Sequence, residues 1–369
     1  MFAKNGVVFF ERILLRSDFV PPHFATSFVS VKILVVRFSS IGDIVLTSPV
    51  LRCIKNQVQG SEIHYLTKRK FFSLLEYNPH VSKIFTFESS LDAVLDQLKK
   101  ENYDAVIDLH HNLRSLRVKL ALGKPAFSFN KLNLRKWLYV NWKQQVMPDK
   151  HIVSRYLETV KSLGVKDDGR GLEFFSCDCD RVEQEELPPA FRDQAYAVLS
   201  IGGTHATKKM PVEKWVDLLD LIPIPAMIIG GKEDVEAGQL LENQAILNGK
   251  TVWNACGKFT IGGSAHLIRG STLVISHDTG MMHIAAAFQK PTVAIWGNTT
   301  PELGMYPFRT KYINLEVNGL PCRPCSKIGY AQCPKGHFKC MLEQNVKSDK
   351  LRTFIQKALE SSKISSYGS

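Results

Sequence analysis

No uninterrupted apolar stretch of this chain approaches the ~20 residues that carry a helix across a bilayer, which disfavours a membrane-spanning protein. The dinucleotide fingerprint G-x-G-x-x-G is missing from the first strand-to-helix turn, Arg37-Phe-Ser-Ser-Ile-Gly-Asp43, and this argues against a nicotinamide or flavin oxidoreductase. The later glycine-bearing loop, Gly202-Gly203-Thr204 through Lys208, lacks a Walker A sequence, so an NTPase reading is weak. Acidic residues are absent between Asp108 and Asp149. That window holds Arg114, Arg117, Lys119, Lys124, Lys131, Arg135, Lys136 and Lys143, set among Phe127, Phe129, Trp137, Tyr139 and Trp142. Basic residues beside interfacial aromatics suit an anionic bilayer surface, and they also suit nucleic acid. The plain alternative is the solvated face of a helical insertion.

A chain of 369 residues exceeds one ordinary core, and two domains are expected. Its 44% hydrophobic and 22% charged residues are those of a soluble globular protein. The net charge of +12 points to an anionic partner, whether nucleic acid, a phosphorylated substrate or a membrane face. Residues 1–30 fit poorly with the rest. Glu11, Arg12, Arg16 and Asp18 interrupt their apolar part and Pro21-Pro22 breaks it, so no signal peptide is read there. They are expected to form a disordered or loosely attached extension.

From Val31 onward strands and helices alternate. Lys32–Phe38, Glu62–Thr67, Lys83–Phe87 and Tyr103–Leu109 read as strands, with helices over Ile44–Lys55 and Leu91–Lys100. Pro49 is tolerable near the first turn of Ile44–Lys55. Lys150–Leu163 reads as a helix stopped by Gly164, and the polar stretch Val165–Pro189 as a linker. A second series has strands at Tyr196–Ile201, Ala226–Ile229, Thr251–Trp253, Ser271–Ile275 and Thr292–Trp296. Its helices are Val212–Leu221, Ile261–Arg269, Met281–Phe288 and Lys347–Leu359. Such alternation predicts an α/β fold of two Rossmann-like domains, each a mainly parallel sheet, facing across a cleft. The boundaries are 31–165 for the first domain, 166–190 for the linker, 191–345 for the second domain, and 346–369 for a C-terminal helix and tail.

Ligands of open α/β sheets bind at the C-terminal ends of strands, so the turns there carry the functional reading. Asp43 lies in the first turn, where a carboxylate can serve as a general base or cap the following helix. The loop Gly202–Lys208 offers backbone N–H groups, the Thr204 hydroxyl and a lysine charge to phosphate oxygens. Gly230-Gly231 occupies the same place after another strand, where a base or ribose can approach, though a plain turn explains it too. Asp278-Thr279-Gly280 precedes a helix whose free N–H groups and dipole favour a diphosphate. Gly280 permits close backbone approach. The alternative is an ordinary helix start capped by Asp278 or Thr279.

Taken together, Arg37-x-Ser-Ser-x-Gly-Asp43, the Gly-Gly-Thr loop with Lys208, and Asp278-Thr-Gly-x-x-His283 with Lys290-Pro291 resemble the family 9 glycosyltransferases. These are the ADP-heptose:lipopolysaccharide heptosyltransferases of the two-domain GT-B fold. The resemblance runs from about Val31 to Leu359. It implies inverting, metal-independent transfer of heptose from ADP-heptose to the lipopolysaccharide inner core at the cytoplasmic face of the inner membrane, with no cofactor. It further implies Asp43 as the catalytic base, with Thr204, Lys208, Asp278, Thr279 and Gly280 around the donor. Gly230, Gly231, Met281 and His283 are expected on the donor side as well. Ser40, Gly42, Arg114, Arg135 and Lys136 are expected on the acceptor side. Where the family often has an earlier arginine in the lysine loop and a tryptophan before the proline, this chain has His205 or Ala206 and Met210. Lys209 is therefore an alternative to Lys208.

Two rivals are carried. One is another GT-B enzyme, a transferase or epimerase using a different nucleotide sugar. The other is a non-enzymatic module that binds anions or nucleic acid; the ordered cleft motifs argue against it, and no nucleic-acid partner is expected. Cys322, Cys325, Cys333 and Cys340, with His337 nearby, begin with zinc-ligand spacing, but the second pair is separated by six residues rather than two. No metal is expected there. A structural metal, packed thiols and a local disulfide are the readings weighed, the disulfide being disfavoured in a reducing compartment.

Overall fold

The computed structural model describes residues 30–365, so the expected extension lies almost wholly outside the described residues. The first half is a five-stranded sheet in the order β3-β2-β1-β4-β5, built from β1 (Val31–Val36), β2 (Ser61–Lys68), β3 (Lys83–Phe87), β4 (Ala105–Asp108) and β5 (Ala126–Ser128). Every pairing is parallel. Parallel strands covered on both faces read as unbroken apolar runs, which is why Ile33–Val36 has no polar member and is fully buried.

Around this sheet lie α1 (Ile41–Val45), α2 (Ser48–Gln57), α3 (Asp92–Lys100), α4 (Leu113–Leu122), α5 (Asn133–Trp142) and α6 (Ile152–Leu157). The single helix expected over Ile44–Lys55 is two. Pro49 has no N–H and fits only a first turn, so a new helix begins at Ser48 and the chain bends at Leu46-Thr47. That bend leaves Asp43 in a five-residue helix directly after the first strand. The helix expected over Lys150–Leu163 is α-helical only to Leu157, then tightens into a 3₁₀ turn before Gly164, whose φ of 78° ends it.

The second half is a six-stranded parallel sheet in the order β11-β10-β9-β6-β7-β8. Its strands are β6 (Ala197–Ser200), β7 (Ala226–Ile229), β8 (Val252–Asn254), β9 (Leu273–His277), β10 (Thr292–Trp296) and β11 (Tyr312–Glu316). Its helices are α7 (Val212–Leu219), α8 (Val235–Leu247), α9 (Ile261–Gly270), α10 (Gly280–Ala287), α11 (Lys339–Leu342) and α12 (Asp349–Ser365). Strand order reverses between β1 and β4 in one sheet and between β6 and β9 in the other, which opens a crevice at the C-terminal edge of each.

One hydrophobic core joins the halves. It contains Ile33, Val35 and Ile63 from the first sheet, Val198 and Ile229 from the second, Ile284 from α10, and Leu172 and Leu187 from the connecting stretch. The outer faces have their own cores, with Phe85, Leu95 and Val106 on one side and Trp215, Leu351 and Ile355 on the other. Where the halves touch, α1 lies against α10 at two glycines. A Cβ built on Gly280 would come within 2.5 Å of Ile41 Cγ2 and 3.2 Å of Gly42 N, so the backbones meet only because neither residue has a side chain.

Candidate active site

The turns after β1, β4, β6 and β9 border the two switch points. In the first of them the Asp43 carboxylate is fixed at both oxygens. Arg37 Nη2 lies 2.6 Å from Oδ1, while the Ser40 backbone N–H (3.0 Å) and hydroxyl (2.8 Å) donate to Oδ2. Arg37 is itself held by Ser39 O, Leu109 O and the Tyr156 hydroxyl, at 2.7, 2.6 and 2.9 Å. Burial pushes the Asp43 pKa up, but the Arg37 charge and the Ser40 hydrogen bonds outweigh it and hold the carboxyl below its ordinary range. The group is therefore ionised at neutral pH. Oδ1 and Oδ2 each have two lone pairs, and the Arg37 bond uses only one on Oδ1. Asp43 both caps its helix and keeps proton-accepting capacity.

Asp108, the other carboxylate at this edge, differs. It is fully buried, accepts the N–H groups of His110 (3.0 Å) and His111 (2.6 Å) and the Ser115 hydroxyl (2.8 Å), and pairs with Lys119 at 3.1 Å. Its lone pairs are spent on shaping the turn after β4.

Across the crevice, α10 begins at Gly280 with no side chain capping its first N–H groups. The Asp278 carboxylate is committed elsewhere, to Lys208 Nζ at 2.5 Å and the Thr299 hydroxyl at 2.9 Å. Neither of the residues weighed as caps fills that role, so the N-terminus remains available to an anion. Lys208 also donates to Asp278 O at 3.0 Å, which holds its charge beside the same turn. Buried His277 positions the lysine loop by accepting the Met210 N–H at Nε2, 2.8 Å away. Lys209 turns away to Asp234, 2.5 Å distant, whose other oxygen accepts the Gly231 N–H at 2.9 Å. Gly230 and Gly231 close on Asp234, and a Cβ on Gly230 would meet Asp234 Cβ at 2.8 Å.

Of the other residues singled out from sequence, His283 is buried beneath Gly42, where a Cβ would come 2.6 Å from its ring. Burial lowers its pKa to about 4, so the imidazole is neutral. Met281 is half-buried in the first turn of α10, and Thr204 is exposed at the head of its loop. Ser40 and Gly42 lie on α1 and its cap, beside Asp43. Arg114 and Arg135 are exposed on α4 and α5. Lys136 differs from them, being half-buried and close enough to Asp43 to feel its charge.

Three further cations lie near Lys136, and sequence reasoning named only Lys131 among them, as a member of the basic window. Arg155 is only 3% exposed, and its Nε and Nη2 atoms have no hydrogen-bond partner. Lys131 and Lys327 also lie within electrostatic reach of Lys136. Burial first, then repulsion from Arg155, brings the Lys136 amine down to about 8. Only Lys131 stands in the acid-free window. Arg155 lies within the helix expected over Lys150–Leu163, and Lys327 comes from the cysteine segment.

In that segment Cys322 Sγ lies 3.7 Å from His337 Nε2, and the Cys325 thiol donates to Cys322 O at 3.0 Å. Among the described residues, no three His, Cys, Asp or Glu side chains converge as metal ligands. The four cysteines are unbridged, and the disulfide of the structure joins Cys177 to Cys179 in the connecting stretch.

Comparison with known proteins fits this geometry. The family model described as glycosyltransferase family 9 (heptosyltransferase) matches residues 92–335. Lipopolysaccharide heptosyltransferase 1 of Campylobacter coli is 26% identical over 291 residues, 73% of this chain and 84% of that protein. Among solved structures, Escherichia coli ADP-heptose lipopolysaccharide heptosyltransferase II superposes with a TM-score of 0.65 at 18% identity, covering 89% of this chain and 98% of that one. Escherichia coli heptosyltransferase WaaC with ADP gives 0.59 at 22% identity, covering 81% and 94%. At such identities the structures speak for the two-domain GT-B fold.

Proposed function

This chain belongs to glycosyltransferase family 9, the heptosyltransferases, and from that premise we propose that it transfers heptose from ADP-heptose to the inner core of lipopolysaccharide, with inversion and without a metal ion. The observation that carries the reading is the meeting of Gly42 and Gly280. It brings a fixed, ionised carboxylate of one half beside an uncapped helix N-terminus of the other.

In this reading the donor diphosphate sits over the start of α10. Its developing charge is stabilised by the free N–H groups, Lys208 and the Thr204 hydroxyl. Lys208 exchanges its bond to Asp278 for a phosphate oxygen. The acceptor oxygen attacks the anomeric carbon from the face opposite the diphosphate. As that bond forms, the carbon–oxygen bond to the diphosphate breaks and its electron pair stays on the phosphate oxygen. The acceptor proton passes to Asp43. A carboxylate of depressed pKa is a weak base, but it needs only to take a proton that grows acidic as the acceptor oxygen bonds to carbon. Backside displacement inverts the anomeric centre.

We place the acceptor on the first half, beside Ser40, Gly42 and Lys136, with Arg114 and Arg135 toward an anionic membrane face. Support comes from Leu113, Leu120, Leu134 and Trp142, all exposed on the same two helices as these arginines. No helix among the described residues is long and apolar enough to cross a membrane. The direct test is turnover of a panel of nucleotide sugars with a truncated core acceptor, product stereochemistry being read by NMR. ADP-heptose should be the preferred donor, and the reaction should persist in chelator. Preference for another nucleotide sugar, or retention of configuration, would refute the assignment.

A further inference from the structure

The cysteine-bearing segment has no part in the chemistry above, yet it is tied to both sides of the crevice. Arg323 anchors it to the second sheet, donating to Gly297 O (2.7 Å), Thr299 O (3.0 Å) and Val317 O (3.0 Å) and pairing with Glu316 at 2.8 Å. The Tyr330 N–H donates to the Thr207 hydroxyl at 2.8 Å, which joins the segment to the loop that carries Lys208. From the first half, Lys143 at the end of α5 reaches over and donates to Cys322 O at 3.1 Å and Pro324 O at 2.5 Å. On the same helix the Tyr139 hydroxyl bonds Thr300 and Glu302, at 2.9 and 3.2 Å. The segment is thus a strap from the donor loop to the helix bearing Lys136.

Lys327 stands on this strap and faces cations that have no counter-ion. Among the described residues, none of Lys131, Lys136, Arg155 and Lys327 forms an ion pair. Arg155 is the most exacting of them. Its one hydrogen bond runs from Nη1 to Asn130 O at 3.3 Å, and the other guanidinium nitrogens are buried without acceptors. A buried, unpaired guanidinium is costly, and the like charges of Arg155, Lys327 and Lys131 add to the cost of burying Lys136 between them. The carboxylates within their electrostatic reach are already paired elsewhere, Asp43 with Arg37, Asp108 with Lys119 and Glu158 with Lys150. An anion entering this space relieves each of these penalties at once.

We propose that Lys327, Lys131, Lys136 and Arg155 together form a pocket for a carboxylate or phosphate group of the acceptor beside Asp43, and that the cysteine-bearing strap is the wall that closes it from the second half. The inference rests on the transferase reading for the identity of the acceptor. It adds that acceptor capture requires both halves. The strap acts through the place it gives Lys327, whatever the state of its thiols.

The test is steady-state kinetics of Lys327→Ala, an exposed site whose change leaves the core untouched, and of Arg155→Lys, which keeps the charge. A deacylated core acceptor is supplied in native, dephosphorylated and carboxyl-reduced forms. Lys327→Ala should raise the acceptor KM by about tenfold, the scale of one hydrogen bond to a charged group, and leave the donor KM within about twofold. Arg155→Lys should change the acceptor KM less than Arg155→Met. If the mutational effect vanishes on the dephosphorylated acceptor, the anion is a phosphate; if it vanishes on the carboxyl-reduced one, a carboxylate. A rise in donor KM alone, or no change with any acceptor, overturns the pocket. A second readout is independent of turnover. With ADP saturating, inorganic phosphate should raise the melting temperature of the wild type and not that of the Lys327→Ala, Lys136→Ala double variant. Equal stabilisation of both proteins rejects the pocket even where the donor panel succeeds, and stabilisation of the wild type alone supports it even where that panel fails.

Discussion

In the proposed mechanism Asp43 serves two purposes at once, and that changes what its replacement should do. An Asn at this helix position would still accept the Ser40 N–H, but it would leave the Arg37 guanidinium, half of a largely buried pair, without its counter-charge. Asp43→Asn should therefore lower stability, by roughly 1–3 kcal/mol for an unsatisfied buried partner. It should also lose general-base catalysis, about 10²–10⁴-fold in kcat. ADP affinity, which depends on the other half, should hold. Folded Asp43→Asn protein turning over within a few-fold of wild type would remove Asp43 from the mechanism. The Arg37 pair also sets a pH dependence. The Asp43 pKa is depressed in the folded state, so its contribution to stability is present above the unfolded value and is lost as pH falls through the folded one. Activity, which needs the ionised base, should fail in the same direction. The acid limb of the kcat profile is then expected below the ordinary aspartate range, and Arg37→Met should shift it upward. Melting curves at each pH separate loss of the base from loss of the fold.

Among elements, the start of α10 is the most exposed to small changes, because its position depends on the contact of two glycines. In Gly280→Ala the new methyl would collide with Ile41, with Cγ2 at 2.5 Å and Cβ at 2.7 Å, and the helices must part. A misplacement of about 1 Å at a reacting centre can cost on the order of 10²-fold in rate. Gly280→Ala should therefore lose kcat on that scale while ADP binding, measured by calorimetry, falls far less. Equal losses in both would mean that the glycine serves the nucleotide site alone. Much at this level was legible in the sequence. Lys83–Phe87, Ala226–Ile229 and Thr292–Trp296 match β3, β7 and β10 to the residue. Strands such as β7 and β10, buried along their whole length, leave apolar runs bounded by breakers, whereas β3 is an edge strand with Lys83 exposed. The turns holding Asp43 and Asp278 followed from the ends of the strands read at Lys32–Phe38 and Ser271–Ile275, which are β1 and β9. Helix α8 escaped because it has no clean apolar stripe, Leu240, Ile246 and Leu247 all being exposed. The three-residue β5 is too short to show a pattern. The cations around Lys136 were not legible as a group, because Arg155 and Lys327 reach it only through the packing of α6 and the cysteine-bearing segment.

At the scale of the whole molecule, the surplus of +12 charges acts together with an unusual surface. On α4, Leu113 and Leu120 are 84% and 74% exposed, and on α5 Leu134 and Trp142 are 71% and 61% exposed. Side chains this large are ordinary on a surface one at a time, but here they share two helices with Arg114 and Arg135, and the chain has no acid between Asp108 and Asp149. Anionic headgroups would satisfy the charges while the leucines and tryptophans enter the interface. Each basic residue near such a surface contributes about 1 kcal/mol, over a screening length of about 8 Å at physiological salt. Wild-type protein should therefore sediment with vesicles containing anionic lipid at low salt and release progressively as salt rises. Leu134→Ser with Trp142→Ser should weaken binding at every salt concentration, because it removes the apolar contribution. Arg114→Glu with Arg135→Glu should abolish the salt dependence along with the binding. The kcat for a soluble, deacylated acceptor should be unaffected by the leucine and tryptophan changes, since both side chains are turned to solvent. Full retention of vesicle binding in both double variants would mean that the basic window serves the acceptor directly, with the membrane held by some other face.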